Sequence, residues 1–170
     1  MKVSVIWFRR DLRFEDNTAL QKALDAGFPV LPLFIFDNNI TIEAGAKLLF
    51  TEQGYIEVND GGSLTAKGTS TNPIIMDGEI DASGSWPGLS YQFTTSIKNE
   101  LSYVTIRNAG GGQQNFGKGV FYLWAQPSLS VKNCTFENIK DCIFNPASSG
   151  DLPNVTEENN DYGGAELLCP

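Results

Sequence analysis

Histidine is missing from this sequence altogether. That removes the commonest general base, the Ser-His and Cys-His nucleophile pairs, and the usual zinc ligand sets. Basic residues are scarce: 12 Lys and Arg stand against 20 Asp and Glu, a formal net charge of −8 at pH 7. An acidic chain of this kind lacks the basic face that nucleic acid or an anionic membrane requires, so no nucleic-acid partner is expected. The three cysteines, Cys134, Cys142 and Cys169, are odd in number and show no CxxC spacing. Neither a disulfide framework nor a metal site is expected from them, and Cys134 reads as a buried free thiol. No apolar run approaches the ~20 residues of a membrane span. Val3 to Phe8 is too short for an export signal and runs straight into Arg9, Arg10 and Arg13, so the chain as written reads as cytoplasmic.

What is present divides near residue 40. Residues 1–40 hold five basic and five acidic side chains, whereas 41–170 hold seven and fifteen. In the first part, the apolar runs Val3–Phe8 and Val30–Phe36 flank a helical pattern over 17–26. Asp16 or Asn17 can N-cap that helix, Ala19, Leu20, Ala23 and Leu24 form its apolar stripe, and Gly27 ends it. The pattern predicts a β-α-β unit with parallel strands. Beyond residue 40, short runs of period-2 alternation recur between Gly, Asn, Asp, Ser and Pro turns, which is the strand signature.

These runs repeat. Gly88-Leu-Ser-Tyr-Gln-Phe93 overlays Gly119-Val-Phe-Tyr-Leu-Trp124 at a spacing of 31. Val104–Asn108 overlays Cys134–Asn138 at a spacing of 30, and Ile74–Gly78 precedes the first of these by the same 30. A period of this length signals a solenoid. Three strands per turn can be assigned: 55–58, 63–66 and 73–77; then 88–93, 96–101 and 103–108; then 119–124, 128–131 and 133–138. Further strands fall at 142–144, and at 40–43 and 46–50 in an earlier turn that lacks its third strand.

Two resemblances follow from these residues. Trp7-Phe-Arg-Arg-Asp-Leu-Arg-Phe-Glu-Asp-Asn-Thr-Ala-Leu20 resembles the opening motif of the DNA photolyase/cryptochrome family, over roughly residues 1–39. The resemblance implies an α/β segment that in the family precedes a helical FAD-binding region; that region has no counterpart here. Thr41–Lys47, Gly62–Thr69 and Asn72-Pro-Ile resemble the right-handed parallel β-helix repeat proteins. That resemblance implies a secreted or cell-surface origin and covers about three quarters of the chain.

The fold expected is mainly β: a right-handed parallel β-helix of about four turns over 40–170, with 1–39 as an N-terminal β-α-β cap. In that cap, Val30–Phe36 would stack on Tyr55–Val58, and Leu20 and Leu24 would face the end of the core. The join near residue 40 reads as a natural fusion or an engineered chimera. Trp86 and Tyr103 lie off the core parity and are the candidate ligand-binding residues, offering flat faces to a sugar ring. Tyr91, Tyr122 and Trp124 fall on the core parity.

Gly112–Lys118 matches part of a phosphate-binding loop. Gly119 stands where the hydroxyl should be, however, and a strand follows where a helix is needed. Arg9, Arg10, Asp11 and Arg13 form a solvated loop, and Glu157–Asp161 an acidic turn without repeated ligand spacing. No catalytic constellation and no cofactor is read. The function expected is a non-catalytic binding or structural module, with a glycan as its partner. The alternatives are a polysaccharide-degrading enzyme and a photolyase-derived fragment binding chromophore or DNA. Two contacts test the alignment: Arg107 between Asp77 and Glu137 on the outer face, and an amide ladder of Asn108 and Asn138 at a bend.

Overall fold

A computed structural model describes residues 4–8, 18–25, 30–34, 39–112, 117–147 and 151–170. The chain divides into two units, Met1–Asp37 and Asn38–Pro170. The first contains β1 (Ser4–Phe8), α1 (Thr18–Asp25) and β2 (Val30–Phe34). β1 and β2 pair in parallel, with Ser4 opposite Val30 and Phe8 opposite Phe34. Pro32 lies within β2, where a two-stranded sheet tolerates it because both strands are edges. The capping residues Asp16, Asn17 and Gly27, the Leu20 side chain and the Arg9–Arg13 loop lie outside the described residues.

From residue 39 the strands recur in threes. The first rung is β3 (Asn39–Ile42), β4 (Lys47–Phe50) and β5 (Tyr55–Val58). The second is β6 (Ser63–Lys67), β7 (Ile74–Gly78) and β8 (Gly88–Gln92). Next come β9 (Glu100–Ser102), β10 (Val104–Arg107) and β11 (Phe121–Trp124), then β12 (Leu129–Lys132), β13 (Thr135–Glu137) and β14 (Cys142–Pro146). The last rung holds β15 (Val155–Glu158) and β16 (Glu166–Leu168), with a parallel bridge from Asp161 to Thr135 between them. Sheet one runs β3-β6-β9-β12-β15, sheet two β4-β7-β10-β13 and sheet three β5-β8-β11-β14-β16.

One expectation is corrected here. The first rung is complete, because Tyr55–Val58 is its third strand; counting the coil from residue 55 made 40–43 and 46–50 look short of one. β2 pairs with β1, and β5 pairs with β8 in sheet three. Leu24 is 54% exposed.

Alternation places every second side chain inside the coil. Ile56, Leu89, Phe121 and Phe144 form one inward column of sheet three; Leu48, Met76, Ile106 and Phe136 form one of sheet two. Ala66, Leu101 and Val131 do the same in sheet one. Phe121 stacks on Phe144 at 5.2 Å and meets Phe136 edge-on at 6.0 Å, so aromatic contacts join the second and third sheets. Each fully buried large apolar side chain contributes roughly 1.5–3 kcal/mol.

The corners need left-handed backbone, which Asn tolerates best among non-glycine residues. Asn108 and Asn138 follow β10 and β13 with φ of 59° and 53°. Asn138 Nδ2 donates to Asn108 Oδ1, and Asn108 Nδ2 donates to Asp77 Oδ1 at 2.9 Å, so the amide ladder exists. Asn108 is buried, but Asn138 is exposed. Arg107 Nε lies 2.7 Å from Glu137 Oε2, while Asp77 takes the Asn108 amide in place of the guanidinium.

The cysteine expectation is also corrected. Cys142 and Cys169 form a disulfide, with Cα atoms 5.2 Å apart, and Cys134 is the free, buried thiol. Their sequence separation of 27 is close to one coil period, which brings residues of adjacent rungs side by side.

The last rung closes the core with polar groups. Glu157 stands opposite Val131 in an inward column, and Tyr162 stacks on Phe136 with ring centroids 5.5 Å apart. The Tyr162 hydroxyl donates to Glu157 Oε2. Asn160 accepts from Cys134 N at 2.9 Å and donates to Val131 O at 3.0 Å. Burial, followed by the Glu157 hydrogen bond, pushes the Tyr162 hydroxyl up to about 12.

Candidate functional site

The outer face of sheet three carries polar and aromatic side chains together. Register places Glu57, Ser90, Tyr122 and Asn145 in one outward column, with Gln92 and Trp124 side by side in the next. Adjacent rungs lie ~4.8 Å apart, so the columns span several rungs on one surface. Gln92 Nε2 donates to Ser90 Oγ at 3.0 Å and to Glu57 Oε2 at 3.4 Å, and Asn59 Nδ2 donates to Glu57 Oε1 at 3.3 Å. The carboxylate is thus held by amides across two rungs while remaining exposed to accept further hydrogen bonds. Trp124 is 38% exposed beside Gln92, and Phe93 is 58% exposed at the following corner.

One margin of this face is covered. A Cβ on Gly117 would lie 2.8 Å from the Tyr122 ring, so only glycine lets the backbone rest on that ring. Asn145 Nδ2 donates to Lys118 O at 2.9 Å and fixes the same segment. Tyr122 is therefore half-buried under chain, and Trp124 carries the accessible ring. A flat indole face flanked by a carboxylate and an amide can stack on the apolar face of a sugar ring while the polar groups bind its hydroxyls.

The two residues expected to bind ligand are not brought together here. Trp86 is fully buried, which corrects its expected exposure: it stacks on Phe50 at 4.1 Å and donates from Nε1 to Arg107 O at 2.7 Å. Gly78, with no side chain, leaves room for the Ser85-Trp86 segment: a Cβ there would lie 1.9 Å from Ser85 Oγ and 3.1 Å from the indole. Tyr103 is 36% exposed, but at the corner between sheets one and two, with φ of 50° where later rungs use Asn133 and Asn159.

Overlaying Gly88–Phe93 on Gly119–Trp124 at 31 puts Trp124 on the core parity. Register pairs Leu89 with Phe121 and Tyr91 with Leu123, a spacing of 32. A slip of one residue exchanges the two faces of a strand. The apolar pairs Leu89/Phe121 and Tyr91/Leu123 carried the correct spacing, and the shared glycine obscured it.

Among the remaining candidates, Gln113 to Phe116 of the Gly112–Lys118 run lie outside the described residues. The acidic run is engaged within the fold. Glu157 bonds Tyr162, Glu158 pairs with Lys132 at 3.6 Å, and Asp161 accepts from Gly163 N at 3.0 Å. Among the described residues no three Cys, Asp or Glu side chains gather into a metal-sized group. Two carboxylates do converge at the corner after sheet two. Asn108 Nδ2 lies 2.9 Å from Asp77 Oδ1 and 3.4 Å from Asp81 Oδ1.

Comparison with known proteins divides along the chain. The family described as DNA photolyase matches residues 4–57, and the pectate-lyase-like beta helix domain matches residues 32–121. Cryptochrome-1 of Arabidopsis thaliana is 61% identical over 33 residues, which cover 19% of this chain and 5% of the relative. Deoxyribodipyrimidine photo-lyase of Agrobacterium fabrum is 42% identical over 43 residues, 25% of this chain and 9% of the relative. The chain thus spans less than a tenth of the length of either curated relative, and the similarity to them is that of a segment. No solved structure matches. Parallel strands stacked in three sheets agree with the match over 32–121, which takes in more than half of the 170 residues, and the chain belongs to the pectate-lyase-like β-helix domain family.

Proposed function

We propose that the solenoid is a non-catalytic carbohydrate-binding module that holds a glycan along the outer face of sheet three. The observation that carries this reading is the exposed Trp124 ring in register with Gln92, whose amide bridges Ser90 and Glu57. Trp124 supplies the stacking surface, and Glu57 and Gln92 bind hydroxyl groups. The Cys142–Cys169 disulfide supports work in an oxidising compartment, as at a cell surface. Titrating the protein with soluble polysaccharides while following tryptophan emission tests the reading. Trp124→Ala should abolish binding with little change in melting temperature, because the ring lies outside the core. Unchanged binding by that variant would refute the assignment of this face.

The convergence of Asp77 and Asp81 on Asn108 favours a second reading, a glycan-cleaving enzyme with a carboxylate pair. Release of reducing ends from glycans, lost in Asp77→Asn, would establish it over the binding module.

A further inference from the structure

The sheet-three face also carries a charge pattern that limits the glycans it can hold. We infer that this face selects neutral glycans and rejects polyuronates, the charged polymers that the pectate-lyase-like name of its family brings to mind. The inference rests on the carbohydrate-binding reading above.

A chain of uronates presents a carboxylate on every sugar and needs a cation, protein-borne or metal, near each one bound. Residues 41–170 contain seven Lys and Arg against fifteen Asp and Glu. Three of the seven are committed to partners on the other two sheets. Lys67 lies 2.7 Å from Glu100, Arg107 2.7 Å from Glu137, and Lys132 3.6 Å from Glu158.

On sheet three, the outward column of Glu57, Ser90, Tyr122 and Asn145, with Gln92 and Trp124 beside it, contains one charge, and it is negative. Asp60 follows at the same corner as Asn59 and adds a second carboxylate. Lys118 lies at the margin of this face, where its backbone carbonyl accepts from Asn145 Nδ2 at 2.9 Å, and Asn145 stands three rungs from Glu57. A single cation at one end of the column cannot pair with a carboxylate on every sugar of a bound chain. Among the described residues no group of three carboxylate or thiol side chains gathers to hold a bridging cation either. The groups that remain are hydrogen-bonding: a carboxylate that accepts from sugar hydroxyls, an amide that both donates and accepts, and an indole face. These suit uncharged, hydroxyl-rich rings.

The test uses the full chain and two panels of soluble polymers. The neutral panel is hydroxyethyl cellulose, galactan and fully methyl-esterified polygalacturonan; the acidic panel is polygalacturonate and alginate. Binding is measured at low and high salt, with Trp124→Ala as the control for the face. At least one neutral polymer should bind about tenfold or more tightly than either acidic one at low salt, and Trp124→Ala should lose that binding. For the esterified and free-acid forms of the same polymer, added salt should narrow any gap, because screening weakens the repulsion from Glu57. Equal or tighter binding of the acidic polymers would overturn the inference and leave glycan binding standing. Binding of neither panel would overturn the carbohydrate-binding reading, and the inference with it.

Discussion

Breaking the Cys142–Cys169 bridge should loosen one end of the coil and leave the rest intact. Among the described residues β16 pairs only with β14, through Cys142 opposite Glu166 and Phe144 opposite Leu168, at the end of sheet three. Its side chains bury little: Leu167 and Leu168 are 37% and 43% exposed. The bridge closes a loop with a sequence separation of 27, for which the chain-entropy relation gives about 3.5 kcal/mol of stabilisation. In a solenoid each rung contacts only its neighbours, so that loss falls on the segment the bridge encloses.

Hydrogen exchange on the oxidised and reduced protein would show this directly. Amides of β15 and β16 should exchange roughly two orders of magnitude faster after reduction, since each 1.4 kcal/mol is tenfold. Amides of β6 to β11 should keep their protection. A Cys142→Ala, Cys169→Ala double variant should reproduce the pattern. Uniform loss of protection through all rungs would refute nearest-neighbour coupling, and unchanged protection in β15 and β16 would refute a stabilising role for the bridge.

Three further outcomes follow from the core and its ends. The Tyr91 hydroxyl is buried without a hydrogen-bond partner among the described residues, so Tyr91→Phe should raise stability by about 1 kcal/mol; a loss in urea denaturation would show that the hydroxyl is satisfied. Burial pushes the Cys134 thiol from 9.0 up to about 11, so the folded state favours the neutral thiol. Its contribution is complete below pH 9 and is lost as pH rises towards 11, on the order of 2 kcal/mol, and a urea midpoint flat over that range would contradict this. Glu157 ends an inward column that Val131 precedes, so Glu157→Val should expose an apolar end and cause concentration-dependent self-association. The charge-matched Glu79→Val at an exposed corner should stay dispersed, and equal sedimentation of the two variants would argue against a capping role.

The fold was legible because its repeat is carried by apolar parity, and parity survives loose alignment. Val104–Asn108 against Cys134–Asn138 gave the observed register, with Ile106 on Phe136 and Arg107 on Glu137. Those strands share length and flanking corners, so an overlay of side chains is also an overlay of backbone. Gly88–Phe93 against Gly119–Trp124 failed by one residue because the two glycines occupy different points of their corners. Gly88 precedes Leu89 in the strand, whereas Gly119 sits against the Cys142–Cys169 sulfurs, where a side chain would collide. That slip hid Trp124, whose outward direction depends on absolute register. Trp86 misled for a different reason: it lies in a corner segment outside strand alternation, and its burial depends on Gly78 and Phe50 in other strands. The disulfide needed the rung alignment before its sequence separation could mean anything.

Unequal use of the three outer faces explains why the candidate site falls where it does. Parallel stacking brings equivalent positions of successive rungs into contact, so each outward column must be neutralised, alternated in charge, or filled with groups that tolerate their own kind. Sheet one uses ion pairs, Lys67 with Glu100 on the diagonal and Lys132 with Glu158 in register, and sheet two places Arg107 on Glu137. Such exposed pairs contribute only ~0.2–1 kcal/mol each, but they occupy the long side chains that would otherwise meet a ligand. Sheet three takes the other course, with Ser90, Tyr122 and Asn145 stacked beneath a single carboxylate and Gln92 beside Trp124. Its amides donate to the Glu57 carboxylate, the Ser90 hydroxyl and the Lys118 carbonyl, and their oxygens are left to accept from a ligand. The face that gives least to binding rungs together by charge is therefore the one left able to bind something else.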